Sequence, residues 1–112
     1  MPAMPNQPDV ALPLTHSIYH ILLVLAAGER HGYALRQEIT VRTSGMMRVG
    51  NGTLYRSIET MLATGLIDEE FTSRRIFRLT ALGEQTAWAE TERLVRLVAL
   101  ARRTPRLAEH LS

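Results

Sequence analysis

Residues 51–67, NGTLYRSIETMLATGLI, constrain the fold more than any other stretch of this chain. Leu54, Ile58, Met61 and Leu62 fall at i, i+4, i+7 and i+8, the spacing of one side of an α-helix and not the alternation of a strand. Asn51 or Thr53 can cap its start, and Gly65 stands where a left-handed residue ends a helix. At about 100° per residue, Arg56, Glu59, Thr60 and Ala63 point away from the apolar stripe, with Thr53 and Tyr55 on its flanks. An outward face of small residues, a Thr, a Tyr and an Arg suits a helix that lies against another molecule.

The flanking segments build a domain around this helix. Residues 15–27 read as a helix capped by Thr15 and stopped at Gly28, with Ile18, Ile21, Leu22 and Leu25 as its core stripe. Its second half is apolar nearly all round, so it is buried on more than one side, by a central position or by a partner. Residues 29–32 read as a turn. Residues 33–43 read as a second helix with Tyr33, Ala34, Leu35 and Ile39 inward and Arg36, Gln37, Glu38 and Arg42 outward. Val49, in the connector that follows, is expected to make a short strand pairing. Residues 66–71 and 76–79 read as two strands of a hairpin around a turn at 72–75. Thr80 then caps a last helix that runs to about Arg103, with Pro105 as its limit. Residues 1–13 hold four of the five prolines and read as an extended arm.

The fold class is therefore mostly α with a small β-hairpin: a winged helix-turn-helix followed by a long C-terminal helix. The expected divisions are an arm (1–13), a DNA-binding unit (14–80), a dimerisation helix (81–104) and a tail (105–112). In this arrangement the helix at 51–67 takes the recognition position.

Charge supports nucleic acid as its partner. All thirteen basic residues are Arg, whose planar donor fork suits phosphates and guanine edges. Arg42, Arg48 and Arg56 lie in a window from Ile39 to Ile58 without an acid, and Arg74, Arg75 and Arg78 lie in a second such window from Phe71 to Gly83. Asp68, Glu69 and Glu70 fall between the windows. In a winged helix the start of the recognition helix and the wing lie on one side, so double-stranded DNA is expected there. Arg56 is the candidate for a base-edge contact, Thr53 and Tyr55 for phosphate contacts, and Arg74 and Arg75 for phosphate or minor-groove contacts. Arg48 belongs to the same basic window. Arg78 reads as structural.

Other chemistries find little support. The chain has no Cys, which excludes a disulfide framework and a Cys-ligated zinc. His16 and His20 have a metal-compatible spacing but no third ligand, so no metal or other cofactor is expected. Gly50-Asn51-Gly52 does not continue as a dinucleotide fingerprint, and without Lys there is no P-loop. No catalytic set emerges, so the chain does not read as an enzyme. No apolar run is long enough to span a membrane and no signal peptide is apparent, so a cytoplasmic setting is expected.

The last helix carries a partner signal. Ala87, Thr91, Leu94, Val98 and Ala101 alternate by four and three, a short heptad seam that Trp88, Val95, Leu97, Ala99 and Leu100 widen. Its expected partner is the same helix, or the first helix with Ile18 and Leu22, of a second copy. A twofold dimer would place two recognition helices about one DNA turn apart. Trp88, the only Trp, could line a cavity between subunits and stack on a flat ligand.

These blocks together resemble one known family. Ile21 to Leu25, His31-Gly32-Tyr33-Ala34-Leu35, Gly52-Thr53-Leu54-Tyr55, Gly65-Leu66-Ile67 and Arg78-Leu79-Thr80 with Gly83 look like the PadR family of transcriptional regulators, over about residues 14–90. The single helix after the wing resembles its short C-terminal subfamily. The resemblance implies a homodimeric winged-helix repressor with DNA contacts near Thr53, Tyr55 and Ser57, and a last helix packed on the partner's first. It also implies, for some members, aromatic effectors such as phenolic acids or flat cationic drugs at the dimer interface. Asn51 and Arg56 stand where the family commonly has Pro, so both are candidates for this chain's own operator contacts. The readings from other classes are a winged-helix protein-interaction module without DNA binding and a ligand-binding dimer.

Overall fold

The structure, a computed structural model, describes residues 12–111. Of the arm read over residues 1–13, only Leu12 and Pro13 lie inside that range. The described residues form α1 (His16–Ala26), β1 (Arg30–His31), α2 (Gly32–Arg42), α3 (Asn51–Ala63), β2 (Ile67–Phe71), β3 (Arg75–Leu79), α4 (Ala81–Arg102) and α5 (Pro105–Leu111).

α1 is the centre. Thr15 caps it, its side chain accepting from the Ile18 N–H at 3.2 Å. Ile21, Leu22, Val24 and Leu25 are buried, and α2, α3, α4 and β3 all pack against the helix. The chain thus covers α1 on more than one side, while Leu23 stays half-buried and Ala26 and Ala27 exposed. Leu35 and Ile39 of α2, Leu54, Ile58 and Met61 of α3, Val49, Leu66, Ile67 and Phe77 complete the core. Phe77 is fully buried, and truncating such a ring to Ala costs about 3–5 kcal/mol.

Several local expectations are corrected. The sheet has three strands in the order β1-β3-β2, all antiparallel. The third strand is not at Val49, which is buried in the core outside any strand; it is Arg30–His31, paired with Phe77 and Ile76. A two-residue strand has no period to read, and its partner lies more than forty residues away. Tyr33 points outward at 64% exposure, because two residues along a helix turn the side chain to the opposite side from Leu35, and the buried stripe of α2 is Gly32, Leu35 and Ile39. His31 is the cap of that helix. α3 starts from Gly50 with no side-chain cap, so neither Asn51 nor Thr53 serves as one. Residues 105–111, expected as a tail, form α5, since Pro at the first helical position costs nothing there.

α4 is divided. Its first turns lie on the chain's own domain, with Gly83, Thr86, Ala87 and Glu90 buried. The close seat depends on Gly83: a Cβ there would sit 2.1 Å from the Leu66 carbonyl oxygen. Thr80 fixes the start, its hydroxyl oxygen accepting from the Gly83 N–H at 3.0 Å and its proton facing the carbonyls of Gly65 (2.6 Å) and Leu66 (2.9 Å). Further along, the Tyr19 hydroxyl meets that of Thr91 at 2.7 Å, and the buried Glu90 carboxylate accepts from the Leu14 N–H at 2.7 Å and from Arg93. Leu22 and Ala87, expected against a partner, are therefore in this chain's own core, and Thr91 is engaged with α1. Beyond Thr91 the cover thins, with Leu94 and Ala101 half-buried. Val95, Leu97, Val98 and Leu100 are roughly half exposed or more.

Candidate nucleic-acid interface

The outward face of α3 carries Thr53, Tyr55 and Arg56, all exposed. Two features open its first turn to a ligand. Gly50 and Gly52 have nothing within 4 Å of where a Cβ would stand. Helix N-termini offer unsatisfied backbone N–H groups to anions. Asn51 is turned toward α2, where its side-chain oxygen accepts from Arg36 at 2.9 Å, tying the two helices together.

Tyr55 reaches from α3 across the start of α2. A Cβ on Gly32 would stand 2.6 Å from the Tyr55 hydroxyl, so glycine leaves the room that the ring occupies. This close approach joins two sequence blocks, His31-Gly32-Tyr33 and Gly52-Thr53-Leu54-Tyr55, into one piece of surface. The wing completes it. Arg74 sits in the β2–β3 turn with a guanidinium nitrogen 3.0 Å from His31 Nε2. An open groove of about 510 Å³ runs between these parts, bounded by Tyr33, Tyr55, Arg74 and Arg75, with Phe77 below. Recognition helix and wing thus share one surface through Tyr55 and Arg74.

The arginines on this side are not equivalent. Arg75 bonds Glu69 at 2.6 and 2.8 Å and Glu59 at 3.2 Å, and its guanidinium lies 5.1 Å over the Phe77 ring. The hydrogen bond it donates to Glu69 above all, with that to Glu59, raises its pKa. Arg78 meets Asp68 at 3.3 Å, Glu70 at 2.9 Å and Glu29 at 3.8 Å. The windows free of acids in the sequence are therefore not free of them in space. Antiparallel pairing sets Asp68 opposite Arg78 and Phe71 opposite Arg75, which brings the acids of β2 alongside the arginines of β3. Arg75, expected to contact DNA, instead ties the wing to α3. Among the described residues, Arg48, Arg56 and Arg74 have no carboxylate partner, and Arg36 is on the neutral Asn51. Ser57 is buried on the inward side of α3 and is not on the outer face.

Arg36 and His31 join this surface without having been expected there. His31 fell in the segment read as a turn, and its placement beside Arg74 follows from a strand pairing with β3 that no local pattern announces. His16 and His20 lie on α1, and no cluster of three or more potential metal ligands occurs among the described residues. Burial, and next the neighbouring His16, lower the pKa of His20.

The distal half of α4 is a second candidate surface. Thr91, Leu94, Val95, Val98 and Ala99, with the stem of Arg102, line a shallow apolar groove of about 470 Å³. Trp88 is 63% exposed, one helical face along from Thr91 and Val95. Ile18 is half-buried at the edge of the core, and Ala101 is half-buried toward the end of α4. Among the described residues no helix is long and apolar enough to cross a membrane.

Comparison with known proteins places this architecture. The model of the transcriptional regulator PadR-like family matches residues 21–89, from mid-α1 to mid-α4. No protein with a curated description matches the sequence. Among solved structures, a transcriptional regulator from Clostridium thermocellum is similar at 23% identity, with a TM-score of 0.69 over 78% of this chain and 90% of that one. A winged-helix DNA-binding protein from STIV is also similar at 23% identity, with a TM-score of 0.64 over 74% and 89%. RosR of H. salinarum is similar at 22% identity, with a TM-score of 0.61 over 88% and 86%. At these identities the likeness establishes the winged-helix fold.

Proposed function

The chain belongs to the transcriptional regulator PadR-like family, and on that footing we propose that it is a sequence-specific repressor that binds operator DNA as a homodimer in the cytoplasm. The observation that carries the DNA reading is the groove that Tyr55 of α3 and Arg74 of the wing both line, with Arg48 and Arg56 exposed and without an ion-pair partner among the described residues. Arg56 reads a base edge in the major groove, where an Arg can bond guanine O6 and N7 together. Thr53, Tyr55, Arg48 and Arg74 hold phosphates and set the register. Asn51 acts through Arg36, which it holds at the start of the recognition helix.

The dimer reading rests on the apolar half of α4 that the chain itself leaves uncovered. Leu94, Val95, Val98 and Ala101 form its seam, and Ile18 lies at the edge of the α1 surface it would meet on a second copy. Trp88, exposed on the same helix, stacks on a planar aromatic effector that releases the DNA.

Binding to the duplex upstream of the chain's own operon tests the central claim. Affinity should fall steeply with salt and drop when Arg56→Ala and Arg74→Ala are combined. No binding at low salt, or indifference to both substitutions, would leave a protein-interaction module as the better reading. Quenching of Trp88 fluorescence by planar aromatics tests the effector.

A further inference from the structure

His31 is asked to make two hydrogen bonds that one neutral ring cannot make. Its Nδ1 faces the Ala34 backbone N–H at 3.4 Å, and its Nε2 faces Arg74 Nη1 at 3.0 Å. Both neighbours are donors only, and a neutral imidazole has a single acceptor nitrogen. In either tautomer one N–H of the ring therefore points at another N–H. The shorter contact to Arg74 favours an accepting Nε2, which places the proton on Nδ1 and works against the cap of α2.

An acceptor set between Arg74 and Nε2 removes the conflict. Arg74 and an Nε2–H would then both donate to it, and Nδ1 would be free to accept from Ala34. The groove beside the pair has room for such a group. The Tyr55 hydroxyl lies in the same groove and has no hydrogen-bond partner among the described residues, so it supplies a third donor. No carboxylate among the described residues lines this groove, and Glu59 and Glu69 are held on Arg75. Three convergent donors with no competing acid fit a phosphate oxygen.

Resting on the DNA-binding reading, we propose that His31, Arg74 and Tyr55 form a clamp for one backbone phosphate of the duplex, and that docking switches His31 to its Nε2–H tautomer. The switch makes the bound phosphate and the cap of α2 mutually supporting. It couples the wing to the helix-turn-helix through a single ring.

Imidazole nitrogen NMR of the full chain, free and bound to the operator duplex, reads the tautomer directly. The proton should move from Nδ1 to Nε2 on binding. His31→Asn keeps a good capping side chain and removes the ring donor. It should weaken binding by about threefold to tenfold, the worth of one neutral hydrogen bond, with the salt dependence unchanged. Arg74→Ala should lower the slope of log affinity against log salt by about one for each protomer. Methylphosphonate placed at each backbone position in turn should reveal one phosphate whose loss weakens the wild type but not the variant that combines His31→Asn with Arg74→Ala.

A ring that keeps its proton on Nδ1 in the complex, or the lack of any such phosphate, overturns the clamp. A tautomer switch driven by inorganic phosphate alone, without a matching effect of any backbone position, would assign the site to a free anion and overturn the DNA assignment. If Arg56→Ala weakens duplex binding while the His31 and Arg74 variants do not, the DNA reading stands and the clamp falls. Absence of duplex binding at low salt removes both.

Discussion

Gly83→Ala should unseat the start of α4. The added Cβ would lie 2.1 Å from the Leu66 carbonyl oxygen and 2.6 Å from a Leu79 methyl group, where ordinary contact begins near 3.4 Å. The methyl group can turn aside, but the backbone carbonyl cannot. The helix must therefore back away from the α3–β2 junction by about 1 Å or more, an overpacking cost of about 1–3 kcal/mol. That displacement also stretches the bonds from the Thr80 N–H to the Leu66 carbonyl and from the Thr80 hydroxyl to Gly65 and Leu66, each worth about 1 kcal/mol. Against this, Ala gains at most about 1 kcal/mol over Gly in a helix. The net loss is about 2–4 kcal/mol, and a domain of this size then melts roughly 10–25 °C lower. Circular dichroism during urea and thermal unfolding, at a fixed protomer concentration, measures it. Gly52→Ala is the control: it lies in α3 with nothing within 4 Å, and should be neutral or stabilising by up to about 1 kcal/mol. Gly83→Ala within 0.5 kcal/mol of the wild type, a scatter of about the size of an ordinary surface substitution, would refute the claim that α4 rests directly on the Leu66 carbonyl.

Three further outcomes are expected. The hydrogen bond from Arg93, then burial opposing it, then the Leu14 N–H, leave the Glu90 pKa below the usual carboxylate value. The stability Glu90 contributes is therefore full above the ordinary carboxylate range and is lost as pH falls through the lowered value, and Glu90→Gln should flatten that acid limb of the unfolding curve. Arg75→Ala should leave the salt dependence of DNA binding nearly unchanged, because Glu59 and Glu69 already balance its charge, whereas Arg56→Ala should lower the slope by about one for each protomer or cost about 1–3 kcal/mol of base discrimination. If Arg75→Ala shifts the slope as much as Arg56→Ala does, the pairing described for the wing is wrong. Val95→Glu with Val98→Glu should halve the mass measured by light scattering and leave the circular dichroism of the fold intact, since both side chains are largely exposed in the single chain. A monomer mass for the wild type would sink the dimer proposal.

The sequence alone determined what repeats at short range. The stripe of Leu54, Ile58 and Met61, the caps at Thr15 and Thr80, the turn at Gly65 and the two strands of the wing all follow from spacing within a dozen residues, because local geometry fixes which side chains share a face. That order of elements was enough for a winged helix-turn-helix. Only the tertiary structure decided what depends on distant segments meeting. β1 exists because β3 returns beside it, and the same return sets Arg74 against His31. Antiparallel register, not position along the chain, brought the acids of β2 onto Arg75 and Arg78 and reduced the free positive charge to a few arginines. The apolar spacing of α4 was legible throughout, but spacing does not say what covers a stripe. The close approach at Gly83 assigned its first half to the chain's own core and left the second half open. A period identifies a buried face, and only the packing of the whole chain shows what it is buried against.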